Sequence, residues 1–234
     1  MYRYSYIEQA IILREQGYSL AMIQEKVPVA KSTLSRWLKH IPFTANAEVE
    51  KRIGYALSRA IESKQKQKER SYTQAAALAA SDFSRCDTSV LFMGLALYMG
   101  EGEKNNNVGV ANSDPELIQL FIVWLYEIYG VTAGHLTIAI HIYVDVDERV
   151  AKDYWSACTG IPLTQFGKTQ IDTRVKTAAM KRGRLPHGTA HVRIKSNGKK
   201  DYGVLLSRRI EESIKLLSRA VVGDSHLRPL RTLD

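Results

Sequence analysis

Leu91-Phe92-Met93-Gly94-Leu95-Ala96-Leu97-Tyr98-Met99-Gly100-Glu101-Gly102 is the stretch on which the fold of this 234-residue chain turns. Residues 88–101 are almost continuously apolar and close on Gly-Glu-Gly, which predicts a packed core helix with a carboxylate at its foot. Ala96 and Gly100 lie four apart and, with Gly94, offer so little bulk that a second helix backbone could approach closely. The plain alternative is a buried core helix that ends in a solvated acid.

Downstream, the pattern alternates helix and strand. Asn105-Asn106-Asn107 forms a polar turn, with a first strand shortened to Glu103–Asn107, and Val108-Gly109-Val110 is strand-like. Asp114 caps a helix that has Pro115 at its first position and Gly130 after its end. From His135 to Asp145, Leu136, Ile138, Ile140 and Ile142 alternate with Thr137, Ala139, His141 and Tyr143, the period of a half-buried strand. A helix over 147–158, strand-like pieces at 164–171 and 190–195, a basic loop from Arg174 to His187 and a helix over 202–218 follow.

Upstream, residues 5–16 carry Ile7, Ala10, Ile11 and Arg14 at helical spacing, and Gly17 ends that helix. Ser19 caps a short second helix bearing Ala21, Ile23 and Val27; Pro28 breaks it, and a third runs from Lys31 to Lys39. Residues 43–80 are polar and poor in large apolar side chains, as in a long, exposed helix or a helical linker. The fold class expected is therefore α+β: three short helices (1–42), a helical linker (43–86), an α/β domain with a mixed or antiparallel sheet and a basic extension (87–220), and a tail (221–234).

Charge is unevenly distributed. Residues 1–80 carry 13 basic and 7 acidic groups, residues 81–160 carry 4 and 11, and residues 161–234 carry 16 and 6, for a net charge of +9. Two basic ends around an acidic middle suggest two surfaces for a polyanion; solvated helix faces are the bland alternative. Cys86 and Cys158 have no metal-ligand spacing and are too few for a disulfide framework. The amino terminus has no basic-then-apolar leader, and the apolar run within 117–126 is short and interrupted by Gln119, so a cytoplasmic protein at the nucleoid, away from membranes, is expected.

Gly17-Tyr18-Ser19-Leu20 through Lys31-Ser32-Thr33-Leu34-Ser35-Arg36-Trp37-Leu38 resembles the helix-turn-helix of transposon resolvases and many bacterial repressors. The first residues of such a third helix reach base edges in the major groove, so short polar donors and cations suit it. Lys31, Ser32, Thr33, Ser35 and Arg36 are the contact residues that the resemblance implies. A plain three-helix bundle with a basic face is the alternative.

Residues 91–102 resemble the LAGLIDADG motif of homing endonucleases and of transcription factors that share their fold. The resemblance covers about residues 88–160 and extends towards 218. It implies an αββαββα domain in which two motif helices pack side by side, each ending in a carboxylate that holds a divalent metal at the scissile phosphate. Glu101 falls at the position of the family's second Asp and Gly102 at its closing Gly, whereas Met99 stands at the first Asp and Ala96 at a family glycine. Glutamate is a hard oxygen ligand suited to Mg²⁺. Glu101 is thus the implied catalytic and metal-binding residue, and with one motif per chain the 88–101 helix is the implied homodimer contact.

The family lays its sheet into the DNA major groove, which implies contacts from Lys168, Arg174, Lys176, Arg182, Arg184, Arg193 and Lys195. Arg193 and Lys195 share one strand face, Val192 and Ile194 the other. The loop 174–187 reads as a phosphate clamp, or over 177–187 as a disordered basic loop. Together these readings predict a homodimeric, Mg²⁺-dependent, site-specific endonuclease acting on double-stranded DNA. The alternatives are a catalytically silent transcriptional regulator and an accessory factor of a mobile element.

Overall fold

The computed structural model describes residues 2–103, 105–174, 183 and 185–222. The chain is α+β and divides into two compact units, Met1–Lys68 and Glu69–Asp234.

The first unit contains α1 (Tyr2–Glu15), α2 (Leu20–Lys26), α3 (Lys31–Trp37) and the first part of α4 (Ala47–Arg85). Ala10, Ile23, Val27, Leu34 and Leu38 form its buried core, one or two residues from each short helix. Helices this short are unstable alone and depend on that shared core. Ser19 caps α2, its hydroxyl accepting from the Met22 N–H. Gly17 has φ of +82°, and a Cβ there would lie 2.5 Å from the Thr44 carbonyl oxygen. Asn46 uses this close approach: its N–H donates to the Gly17 carbonyl at 3.1 Å while its side-chain oxygen caps α4 at the Val49 N–H. α3 stops at Trp37, two residues short of the expected end at Lys39.

Over the expected helical stretch 43–86, α4 runs as one helix from Ala47 to Arg85. Residues 50–70 are exposed throughout, as a linker would be, but Ala75, Ala79 and Asp82 are buried in the second unit. There the Asp82 carboxylate, wholly buried, accepts from both Nε and Nη2 of Arg209. Removing either partner would strand the other charge in an apolar surround, which is costly.

The second unit continues with α5 (Thr88–Glu101), β1 (Gly109–Asn112), α6 (Pro115–Tyr129), β2 (Leu136–Tyr143), α7 (Glu148–Thr159), β3 (Gln170–Asp172), β4 (Thr189–Ile194) and α8 (Val204–Val222). The sheet order is β1-β4-β2-β3, with β3 parallel to β2 and the other pairings antiparallel. Val110, Ile138, Ile140, Ile142, Ala190 and Val192 point to the helical side and share one core with Leu91, Leu95, Phe121, Trp124, Trp155 and Ile210. Among the described residues, the outward side of β2 and β4 contributes none to this core.

The strand-like piece expected at 164–171 is mostly not strand. Leu163–Gln165 makes a 3₁₀ turn, held by the Gln165 amide donating to the Ala133 and Leu136 carbonyls; Phe166 makes a single bridge to Ile138, and Gln170–Asp172 joins the sheet as a strand. The expected first strand at Glu103–Asn107 reduces to one bridge between Gly102 and Val110.

α5 packs on α6 through Gly94: a Cβ there would lie 2.0 Å from the Trp124 ring. Gly100, by contrast, has open space where a Cβ would stand. Gly94→Ala should therefore destabilise the fold by about 1–3 kcal/mol through overpacking. Gly100→Ala should be neutral or stabilising by up to about 1 kcal/mol. Urea unfolding of both variants checks the contrast.

Candidate nucleic-acid interface

In the first unit, α3 turns Leu34 and Leu38 into the core and half-buries Trp37, as its spacing predicts. Lys31, Ser32, Ser35 and Arg36 are exposed on the other side and Thr33 is half-buried. The helix begins without a side-chain cap, so the hydroxyls of Ser32 and Thr33 are not spent on its own terminus.

In the second unit, Glu101 ends α5 in solvent and makes no side-chain hydrogen bond or ion pair among the described residues. Gly102 follows as the C-cap, its N–H donating to the Tyr98 carbonyl. The Tyr98 hydroxyl donates to the Glu103 carbonyl at 3.0 Å and also reaches that of Asn107 at 3.4 Å, which tethers the segment just after Glu101. Burial above all, with the Glu103 charge, pushes the Tyr98 pKa up to about 12, so it remains a donor at any physiological pH. Phe92, Met93, Ala96 and Gly100 form the exposed side of α5 that leads down to Glu101. Gly94, grouped with Ala96 and Gly100 by sequence, serves the opposite side, against α6.

The open side of the sheet is the second polar surface. Thr137, Ala139, His141 and Tyr143 of β2 lie beside Thr189, His191 and Arg193 of β4, with Lys195 just beyond. Arg193 and Lys195 are exposed, Val192 is buried and Ile194 half-buried, as the strand period requires. The arginines here are matched by acids. Arg193 Nε donates to Glu103 at 2.5 Å across the sheet edge, while Arg174 clasps Asp172 through Nε at 2.9 Å and Nη2 at 2.6 Å. That clasp holds the Asp172 pKa far below its ordinary value. Lys168 is exposed in the loop before β3. Lys176, Arg182 and Arg184 lie outside the described residues.

His141, His191 and Tyr143 were not among the expected contact residues, although the alternation of 136–143 already put His141 and Tyr143 on one face. The Glu103 partnership was not legible, because it joins positions 90 residues apart. His191 is half-buried, and that burial lowers its pKa, with Arg193 and His141 acting in the same sense and Glu103 opposing.

Among the described residues no group of three or more His, Cys, Asp or Glu side chains is placed to hold a metal ion. No described helix is long and apolar enough to cross a membrane. Comparison with protein-family models, curated proteins and solved structures found no match to this chain.

Because the fold prefers neutral His191, protonation at this site should cost stability as the pH falls from about 6.5 through the lowered folded value. Glu103→Gln removes the one opposing charge named above, so NMR titration of the His191 ring should give a still lower midpoint. An unchanged or higher midpoint would contradict the geometry of the Arg193–Glu103–His191 cluster.

Proposed function

We propose that this chain is a double-stranded-DNA-binding protein that reads sequence with α3 as a helix-turn-helix recognition helix. One observation carries the reading: α3 exposes Lys31, Ser32, Ser35 and Arg36 together while Leu34 and Leu38 anchor it in the core. That is the chemistry needed to reach base edges from a fixed helix. The open sheet side of the second unit is the second proposed contact. Its small residues leave the backbone close to the surface, and its Thr, His, Arg and Lys side chains offer donors to phosphates.

The LAGLIDADG-like reading of the second unit rests on α5, its terminal Glu101 and the strands and helices that follow. α7 and the short β3 stand between β2 and β4 as additions to the simple αββαββα order. We propose homodimerisation through the exposed side of α5, where Ala96 and Gly100 allow close approach and would bring two Glu101 carboxylates together. Mg²⁺ held there would stabilise charge on the attacking and leaving oxygens of a phosphodiester. Glu101 would act as its ligand, and the tethered 103–107 segment would fix where that carboxylate stands. A Mg²⁺-dependent endonuclease is therefore the activity that Glu101, exposed and without an ion pair among the described residues, supports best. A silent regulator is the second reading, favoured by Met99 at the family's first acidic position.

Replacing Arg36 or Ser32 with Ala should weaken binding to a selected site by about 1–3 kcal/mol per lost base contact, with folding intact. Gel-shift titration against a selected site and a scrambled one checks this; equal loss on both would make these phosphate contacts instead.

Glu101→Gln should abolish Mg²⁺-dependent strand cleavage while DNA affinity holds or rises, since the amide keeps the shape but loses the charge that binds metal. Plasmid nicking with Mg²⁺ and with EDTA checks it. Equal nicking by variant and parent would place the activity elsewhere, and tight specific binding without any cleavage would leave the regulator reading.

A further inference from the structure

We infer that α4 pairs antiparallel with the α4 of a second copy of this chain, about a two-fold axis at Leu57. The inference goes beyond the DNA-binding reading and does not rest on it. Residues 50–70 form a run of helix about 30 Å long with every residue exposed. Within it, Ile53, Leu57 and Ile61 are 59%, 60% and 59% exposed. Single exposed apolar residues are ordinary, but three in register on a helix segment whose residues are all exposed form a stripe that water disfavours.

At 3.6 residues per turn, Glu50, Ile53, Gly54, Leu57, Ala60, Ile61 and Lys64 all fall within about 60° of Leu57 around the helix. The opposite side is satisfied within the chain: Lys66 pairs with Glu62 at 2.5 Å, Arg52 with Glu25 at 2.8 Å, and Arg59 lies over the Tyr55 ring. The stripe side is not. Among the described residues Glu50 and Lys64 make no ion pair or side-chain hydrogen bond.

The stripe is symmetric about Leu57. In an antiparallel pair Leu57 meets Leu57 of the second copy once, on the axis, while Ile53 meets Ile61, Gly54 meets Ala60, and Glu50 meets Lys64, each twice. Large residues face large, small face small, and acid faces base. A parallel pair would instead set Glu50 against Glu50 and Lys64 against Lys64, and like charges at such flanking positions select against it. Gly54 fits the same account. Glycine weakens a helix interior, and apart from its chain neighbours and its own helix backbone no described atom lies within 4 Å of where its Cβ would stand. A close backbone approach by a second helix gives that glycine a purpose.

The experiment uses the full chain carrying Ala96→Glu, which silences the proposed α5 contact so that the two self-contacts are read separately. Sedimentation of this chain should show a concentration-dependent dimer. Leu57→Glu should make it monomeric, and Glu50→Lys alone should weaken the dimer by about tenfold or more. Adding Lys64→Glu to Glu50→Lys should restore it, which a misfolded variant could not do. With Cys86 and Cys158 replaced by Ser, Leu57→Cys should form a disulfide with its own copy. Ile53→Cys should not link to itself, since the two positions stand about 12 Å apart along an antiparallel pair, but should link to Ile61→Cys on mixing. A monomer at all concentrations in the Ala96→Glu chain, no recovery in the double charge swap, or equal self-linking at positions 53 and 57 would each overturn the proposal.

Discussion

The contact between Gly94 and the Trp124 ring is the constraint on which the second unit is built. With no side chain at position 94, α5 lies so close to α6 that even a methyl group would overlap the indole. Trp124 is in turn held among Tyr98, Phe121 and Tyr129, whose ring centroids lie 5.2 to 6.0 Å from its own. Close packing of this kind is rigid, because interlocked rings leave no second arrangement of similar energy. It fixes the rotation of α5 about its axis. Leu91, Leu95 and Tyr98 go inward, and Phe92, Met93, Ala96 and Gly100 go to solvent with Glu101 at their foot. The buried Tyr98 hydroxyl then pins the backbone beyond the helix, so one aromatic cluster sets both the exposed side of α5 and the position of its terminal carboxylate.

The described helices serve one side of the sheet, and this shapes what its other side can do. Inward residues of β2 and β4 are aliphatic and meet the helices; outward ones are Thr, Ala, His, Tyr and Arg. The basic character of that surface is more restrained than composition suggests. Arg193 and Arg174 are each held by a carboxylate, and a phosphate arriving there would exchange partners with Glu103 or Asp172 rather than meet an open cation. Exchange of that kind gives less affinity per arginine than a free side chain, and ties the geometry of each guanidinium to the sheet before any ligand arrives. Lys195 and Lys168 lack such partners among the described residues and carry more of the available charge.

α4 shows the same principle at helix scale. Its later part earns its place by burying Ala75, Ala79 and Asp82, with Asp82 locked to Arg209 of α8. Its residues 50–70 bury nothing, so their helicity rests on local propensity and on pairs such as Glu62–Lys66. An apolar stripe kept on such a segment, symmetric in size and charge, is more economically explained by a partner than by the chain itself.

Local signals alone determined a good part of this protein. Asp114 with Pro115 and Gly130 bounded α6, Ser19 and Gly17 bounded the helices around them, and the strict alternation of 136–143 defined both faces of β2, because caps and periods act over a few residues. The outward set on α3 was equally legible, since one helical turn of burial at Leu34 and Leu38 dictates what lies opposite. Tertiary structure alone decided the rest. It turned the end of α4 from linker into core through Asp82 and Arg209, 127 positions apart, and made 163–165 a 3₁₀ turn by drawing Gln165 to Ala133 and Leu136. It also gave Gly94 to α6 and Gly100 to solvent, and matched Glu103 to Arg193. Each of these depends on groups brought together by chain return, and no spacing along a single segment encodes which distant side chain will arrive.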